Sequence, residues 1–161
     1  MIRGIHHMAL HTPNLDRMAD FYARAFGFTP ACKPYGWADS PFVDSIIGVP
    51  GSAARTIMLR AGNVYLELFE YSAPPPRGGA PLRPNDHGYT HFAVDTDDIE
   101  ADYARLRAAG MIFTRDVPDD MGGIRAVYGK DPDGNVIELQ QLTPDHEFAL
   151  SRSAERQYGS K

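Results

Sequence analysis

The sequence predicts an α+β fold of two paired βαβββ modules, whose strands form a curved mixed sheet around a cleft with helices outside. Three observations lead there. Strand and helix patterns recur in the same order in both halves. Matched residues in the two halves keep a constant spacing. A module of about 70 residues also buries too little surface to stand alone, so two related modules gain by pairing their sheets about a local two-fold axis.

The first strand is "GIHHMALHT", Gly4 to Thr12, which puts Ile5, His7, Ala9 and His11 on one face and His6, Met8 and Leu10 on the other. Pro13 and Asn14 punctuate the chain. Leu15, Met18, Tyr22, Ala25 and Phe26 then recur at helical spacing, with Asn14 as N-cap and Gly27 as stop. In the second half "GYTHFAVDT" is the strand and "DDIEADYARLRAAGM" the helix, with Thr96 as expected cap, Ile99, Tyr103 and Leu106 as inner stripe, and Gly110 as stop. Gly4 and Gly88, His7 and His91, and Leu15 and Ile99 all stand 84 positions apart. The closing strands also correspond: "GNVYLEL" from Gly62 resembles "GNVIEL" from Gly134. These matches define one domain over residues 1–142, with module 1 at 4–71, a Pro- and Gly-rich linker at 72–87 and module 2 at 88–142. Residues 143–161 read as a polar tail with a helical turn or two.

Composition narrows the function. A formal charge of -5 argues against nucleic acid or an anionic membrane as partner, since both select basic surfaces. No apolar run approaches the roughly 18 residues of a membrane span, and the His-rich start does not resemble a signal peptide, so a cytoplasmic protein is expected. Cys32 is the single cysteine, which excludes an internal disulfide and a cysteine-based zinc site.

The strand "NVYLELFEY" carries the first chemical clue. Val64, Leu66 and Leu68 share one face, and Tyr65, Glu67, Phe69 and Tyr71 share the other. Glu67 thus sits among aromatics, where its charge needs a proton, a positive partner or a metal. "NVIELQQL" places Glu138 equivalently, between Val136 and Gln140. Each module therefore offers one His on its first strand and one Glu on its last. A two-fold axis would gather His7, Glu67, His91 and Glu138, a donor set suited to one divalent ion: nickel, cobalt, zinc, manganese or iron. A lone strand His or Glu is usually a core or surface residue, and the matched placement in two copies is what singles out these four. His6 and His11 compete with His7, which ranks first because it aligns with His91.

These segments, together with "DFYARAFGF", "THFAVDTDDIEADYARLRAAG" and "KDPDGNVIEL", resemble the vicinal oxygen chelate superfamily over about residues 4–142. That superfamily includes glyoxalase I, methylmalonyl-CoA epimerase, extradiol dioxygenases and fosfomycin or bleomycin resistance proteins. The resemblance implies that His7, Glu67, His91 and Glu138 are metal ligands around a metal-binding cleft. It also implies bidentate chelation of a small-molecule substrate, with Glu67 or Glu138 as catalytic base in a lyase, isomerase or epimerase. The alternatives are an extradiol-type Fe(II) dioxygenase acting on a catechol and a non-catalytic binding or resistance protein. Four protein ligands leave less room for oxygen than dioxygenase chemistry needs, and resistance relatives often lack the ligands. The segment from Pro34 to Arg55 is longer than a hairpin requires, so Tyr35, Trp37 and Phe42, with Phe69, are the expected substrate-pocket residues. Arg55, Arg60, Arg77, Arg83 and Arg125 are candidates for an acidic substrate group, or ordinary surface solubilisers. A homodimer is expected, and the linker is long enough for the cleft to close within one chain or, by exchange of modules, across two.

Overall fold

A computed structural model describes residues 2–151. The chain divides between Gly79 and Ala80 into two compact units. The first contains β1 (His7–His11), α1 (Leu15–Phe26), β2 (Thr29–Pro30), β3 (Tyr35–Trp37), α2 (Pro41–Ile47), β4 (Ala53–Ala61) and β5 (Val64–Ala73). The second contains β6 (His91–Asp95), α3 (Ile99–Ala108), β7 (Ile112–Phe113), β8 (Asp119–Asp120), β9 (Ile124–Lys130) and β10 (Val136–Leu142).

Each unit has its own five-stranded mixed sheet, ordered β1-β5-β4-β2 in the first and β6-β10-β9-β7 in the second, with β3 on β4 and β8 on β9. The expected βαβββ order is present, but its second strand is split into two short pieces that pair with different stretches of the same neighbour. The first strand of each unit runs parallel to the last, the helix after it carries the chain to the far edge of the sheet, and the remaining pairs are antiparallel.

Sequence pattern accounts for the cores. α1 buries Leu15, Met18, Phe21, Tyr22 and Ala25 as one stripe and packs on β4 and β5. There it meets the sheet face that carries Ile57, Leu59, Leu66 and Leu68, all at most 5% exposed. Each such aliphatic side chain contributes roughly 1.5–3 kcal/mol on burial. Asn14 caps the helix by accepting from Arg17 N at 3.0 Å, and Gly27 ends it at φ 70°. In the second unit α3 packs on β10, burying Ile99 and Leu106, while Met111, Val127, Ile137 and Leu139 complete that core. Its cap is Asp98, which accepts from Ala101 N at 3.0 Å. The expected cap, Thr96, instead accepts from Asp98 N and donates to Asp102, so it braces the cap from outside.

"DPDGN" is a turn closed by Asp131, which is 2% exposed and accepts from Asp133 N, Asn135 N and Asn135 Nδ2. No helix among the described residues is long and apolar enough to cross a membrane. The tail expected over 143–161 lies outside the described residues beyond Ser151.

Candidate functional site

In each unit the helix covers one face of the sheet and the other face carries the His–Glu pair. β1 and β5 align His7 with Tyr65 and Ala9 with Glu67, so His7 and Glu67 are diagonal neighbours on one face. β6 and β10 repeat this, aligning His91 with Val136 and Ala93 with Glu138. Ala9 and Ala93 leave room beside each carboxylate for the imidazole to lean across. The outcome is the same twice: His7 Nε2 lies 3.5 Å from Glu67 Oε2, and His91 Nε2 lies 3.5 Å from Glu138 Oε2.

The far side of each imidazole is held as well. His91 Nδ1 lies 2.9 Å from Thr90 Oγ1, and His7 Nδ1 lies 3.0 Å from His6 Nδ1. A histidine that donates from Nδ1 directs its Nε2 lone pair to the carboxylate side, the arrangement used by metal-binding imidazoles. His6, a competitor for the ligand role in sequence, stacks on Tyr65 and serves as the partner of His7.

The donor atoms suit a divalent ion. Two ligand atoms, each about 2.0–2.2 Å from one ion, stand about 3.0–3.5 Å apart at octahedral or tetrahedral angles. Both pairs match that spread. Each unit supplies one pair, and among the described residues no group of three His, Cys, Asp or Glu side chains is placed to hold an ion.

The surroundings of the two carboxylates differ. Glu67 is 8% exposed, and its Oε1 accepts from Thr56 Oγ1 at 3.2 Å and from the Tyr35 hydroxyl at 3.3 Å. Burial, and then the charge and hydrogen bond of Glu67, raise the Tyr35 hydroxyl above its ordinary pKa. In the second unit the Tyr128 hydroxyl lies 3.4 Å from His91 Nε2. Burial, followed by its hydrogen bond to Glu138 and that carboxylate's charge, pushes Tyr128 up to about 12. Both phenols therefore stay protonated and act as donors. Tyr128 and Thr56 were not singled out in the sequence. Their signal was strand register, which places Tyr128 opposite Glu138 on β9.

Of the expected pocket residues, Trp37 and Phe69 meet edge to face with ring centroids 6.1 Å apart, and Tyr71 and His11 extend the cluster. The Trp37 indole donates to Ser52 Oγ at 2.7 Å, and Ser52 is fixed by Asp44, so this wall is braced from behind. Phe42 lies on α2 and is 75% exposed, with no ring contact to that cluster among the described residues. Most of the arginine candidates have structural partners. Arg55 pairs with Asp16 and Glu70, Arg83 with Asp86, Arg125 with Glu100, and Arg60 donates to the Pro30 carbonyl. In the second unit a cavity of about 440 Å³ is lined by Asp95, Thr96, Asp102, Leu142 and Pro144 among others, and neither His91 nor Glu138 lines it.

With a βαβββ unit seen twice, each bearing one His–Glu pair, the comparison with known proteins gives a consistent result. The model of the Glyoxalase/Bleomycin resistance protein/Dioxygenase superfamily matches residues 4–139, and the chain belongs to that superfamily. Among its relatives is a 2-epi-5-epi-valiolone epimerase from Actinomyces sp, 34% identical over 86% of this chain and 79% of that protein. A probable lactoylglutathione lyase from Vibrio cholerae is 27% identical over 87% of this chain and 91% of its own length. The crystal structure of a glyoxalase family protein from Bacillus cereus matches the fold with a TM-score of 0.77 at 19% identity, covering 88% of this chain and 95% of that one.

Proposed function

We propose that the chain is a divalent-metal-dependent epimerase or lyase that moves a proton beside the carbonyl of a small molecule, with epimerisation ahead of the lyase reaction. The observation that carries this reading is the repeated 3.5 Å His–Glu pair. His7, Glu67, His91 and Glu138 together would hold one ion, either within one chain or across a homodimer. When bound, such an ion supplies Lewis-acid polarisation of a carbonyl oxygen. Glu67 and Glu138 then exchange the proton on the neighbouring carbon. Because they come from different modules, one carboxylate removes it and the other returns it, which permits inversion of the centre. The Trp37–Phe69–Tyr71 wall excludes water from one side and orients the substrate. The relative named as an epimerase supports this order, and a fourth protein ligand weighs against oxygen chemistry.

The test is a panel in deuterated solvent, under air and under argon: 2-epi-5-epi-valiolone, the glutathione hemithioacetal of methylglyoxal, methylmalonyl-CoA and catechol. The expected result is oxygen-independent deuterium incorporation into one of the carbonyl compounds, reduced roughly 10²–10⁴-fold by Glu67→Gln or Glu138→Gln. Oxygen-dependent opening of the catechol ring would overturn the reading.

A further inference from the structure

The ligand pairs repeat because their strand positions repeat, yet the hydroxyl beside each carboxylate does not come from equivalent positions. Opposite Glu138 on β9 stands Tyr128, and opposite Glu67 on β4 stands Met58, which has no hydroxyl. A simple repeat would leave Glu67 without a phenol. Instead β3 brings Tyr35 over β4, in register with Thr56, and its hydroxyl reaches Glu67 Oε1. This approach depends on Gly36, where a Cβ would run into the Ala54 carbonyl oxygen. Two different constructions thus place a tyrosine hydroxyl beside each His–Glu pair.

We propose that Tyr35 and Tyr128 are positioning residues that hold the two His–Glu pairs in the orientation that ligates metal, Tyr35 through Glu67 and Tyr128 from beside His91 and Glu138. The inference rests on the metal reading above. In the first unit the two carboxylate oxygens have separate tasks: Oε1 takes the hydroxyls of Tyr35 and Thr56, while Oε2 faces His7 Nε2. A carboxylate fixed at one oxygen cannot swing the other away from the imidazole. In the second unit Tyr128 stands opposite Glu138 in the β9–β10 register, and its hydroxyl lies 3.4 Å from His91 Nε2, which faces Glu138 Oε2. Phenols suit this role because a ring packed on a sheet has few rotamers, and the hydroxyl donates without adding charge. Glu138 has no counterpart to Thr56, since the corresponding position on β9 is Ala126. Tyr128 therefore carries more of the task than Tyr35.

The experiment titrates the metal-free chain with cobalt(II), following the visible d–d absorption of the wild type, Tyr35→Phe and Tyr128→Phe. Each substitution keeps the ring and removes one hydroxyl, and thermal unfolding of the metal-free proteins checks that the fold is kept. The expected result is a cobalt Kd raised about 10–100-fold with an altered d–d spectrum, the larger change in Tyr128→Phe. Variants that match the wild type in affinity and spectrum overturn the inference and leave the metal reading standing. A wild type that binds no cobalt overturns both.

Discussion

Along β5 the residues after Glu67 on the open face are Phe69 and Tyr71, with Trp37 edge-on to both and His11 against Tyr71. Along β10 the corresponding residues after Glu138 are Gln140 and Leu142, and the counterpart of His11 is Asp95. The two units keep the His–Glu pair at one separation and change almost everything beside it. On the proposed function, ligation would constrain both halves alike, whereas an asymmetric substrate would not. One half presents a braced aromatic wall, the other an amide and a carboxylate.

The largest effects test what the halves share. His7→Ala and His91→Ala should each reduce the metal content of protein purified without chelators from about one ion per site to background, because each removes one of the four proposed ligands. Elemental analysis of the two variants checks this. Retention of metal in one variant alone would break the equivalence of the halves.

A smaller effect tests the difference. Trp37→Ala opens the aromatic wall without touching a ligand, so KM for the true substrate should rise about 2–10-fold with kcat changed less. Gln140→Ala in the other half should give a smaller change in KM. Steady-state kinetics of both variants sharpens the assignment of the wall to substrate orientation.

The smallest expected effect concerns Asp95. Its Oδ1 is buried and accepts no hydrogen bond among the described residues. Burial raises its pKa above the ordinary carboxylate value, against a lowering contribution from the Leu142 backbone. The folded state thus holds the proton more tightly than the unfolded state, and stability from this group falls as pH rises through the carboxylate range. Above that range the full penalty remains. Asp95→Asn should therefore stabilise the protein slightly at neutral pH and by less near pH 3, as measured by denaturant unfolding.

Much of this was legible in sequence because it rests on alternation and spacing. Glu67 stood out as a carboxylate on an aromatic strand face, and His7 was chosen over His6 and His11 through its match to His91. The hydroxyls around the carboxylates were not legible. Tyr128 is recognised only once β9 and β10 are paired in register, and Thr56 only when β4 lies beside β5. Tyr35 was read as pocket wall, since nothing local indicates that β3 crosses close enough to reach Glu67. The long segment from Pro34 to Arg55 became β3 and α2, whose Ser40 cap and Asp44-centred turn are short-range signals easily taken for loop composition.

Each histidine of the pairs stands on the outermost strand of its own sheet, β1 or β6, while each glutamate stands on an interior strand, β5 or β10. An interior strand is hydrogen-bonded on both sides and opens only with its whole unit, whereas a five-residue outer strand within its sheet has one neighbour and opens at lower cost. The pair therefore links a late-opening strand to an early-opening one. An ion held across that link, as proposed, would tie the rim of each sheet to its centre. Its departure would register first as faster amide exchange in β1 and β6, before any loss of helix or core.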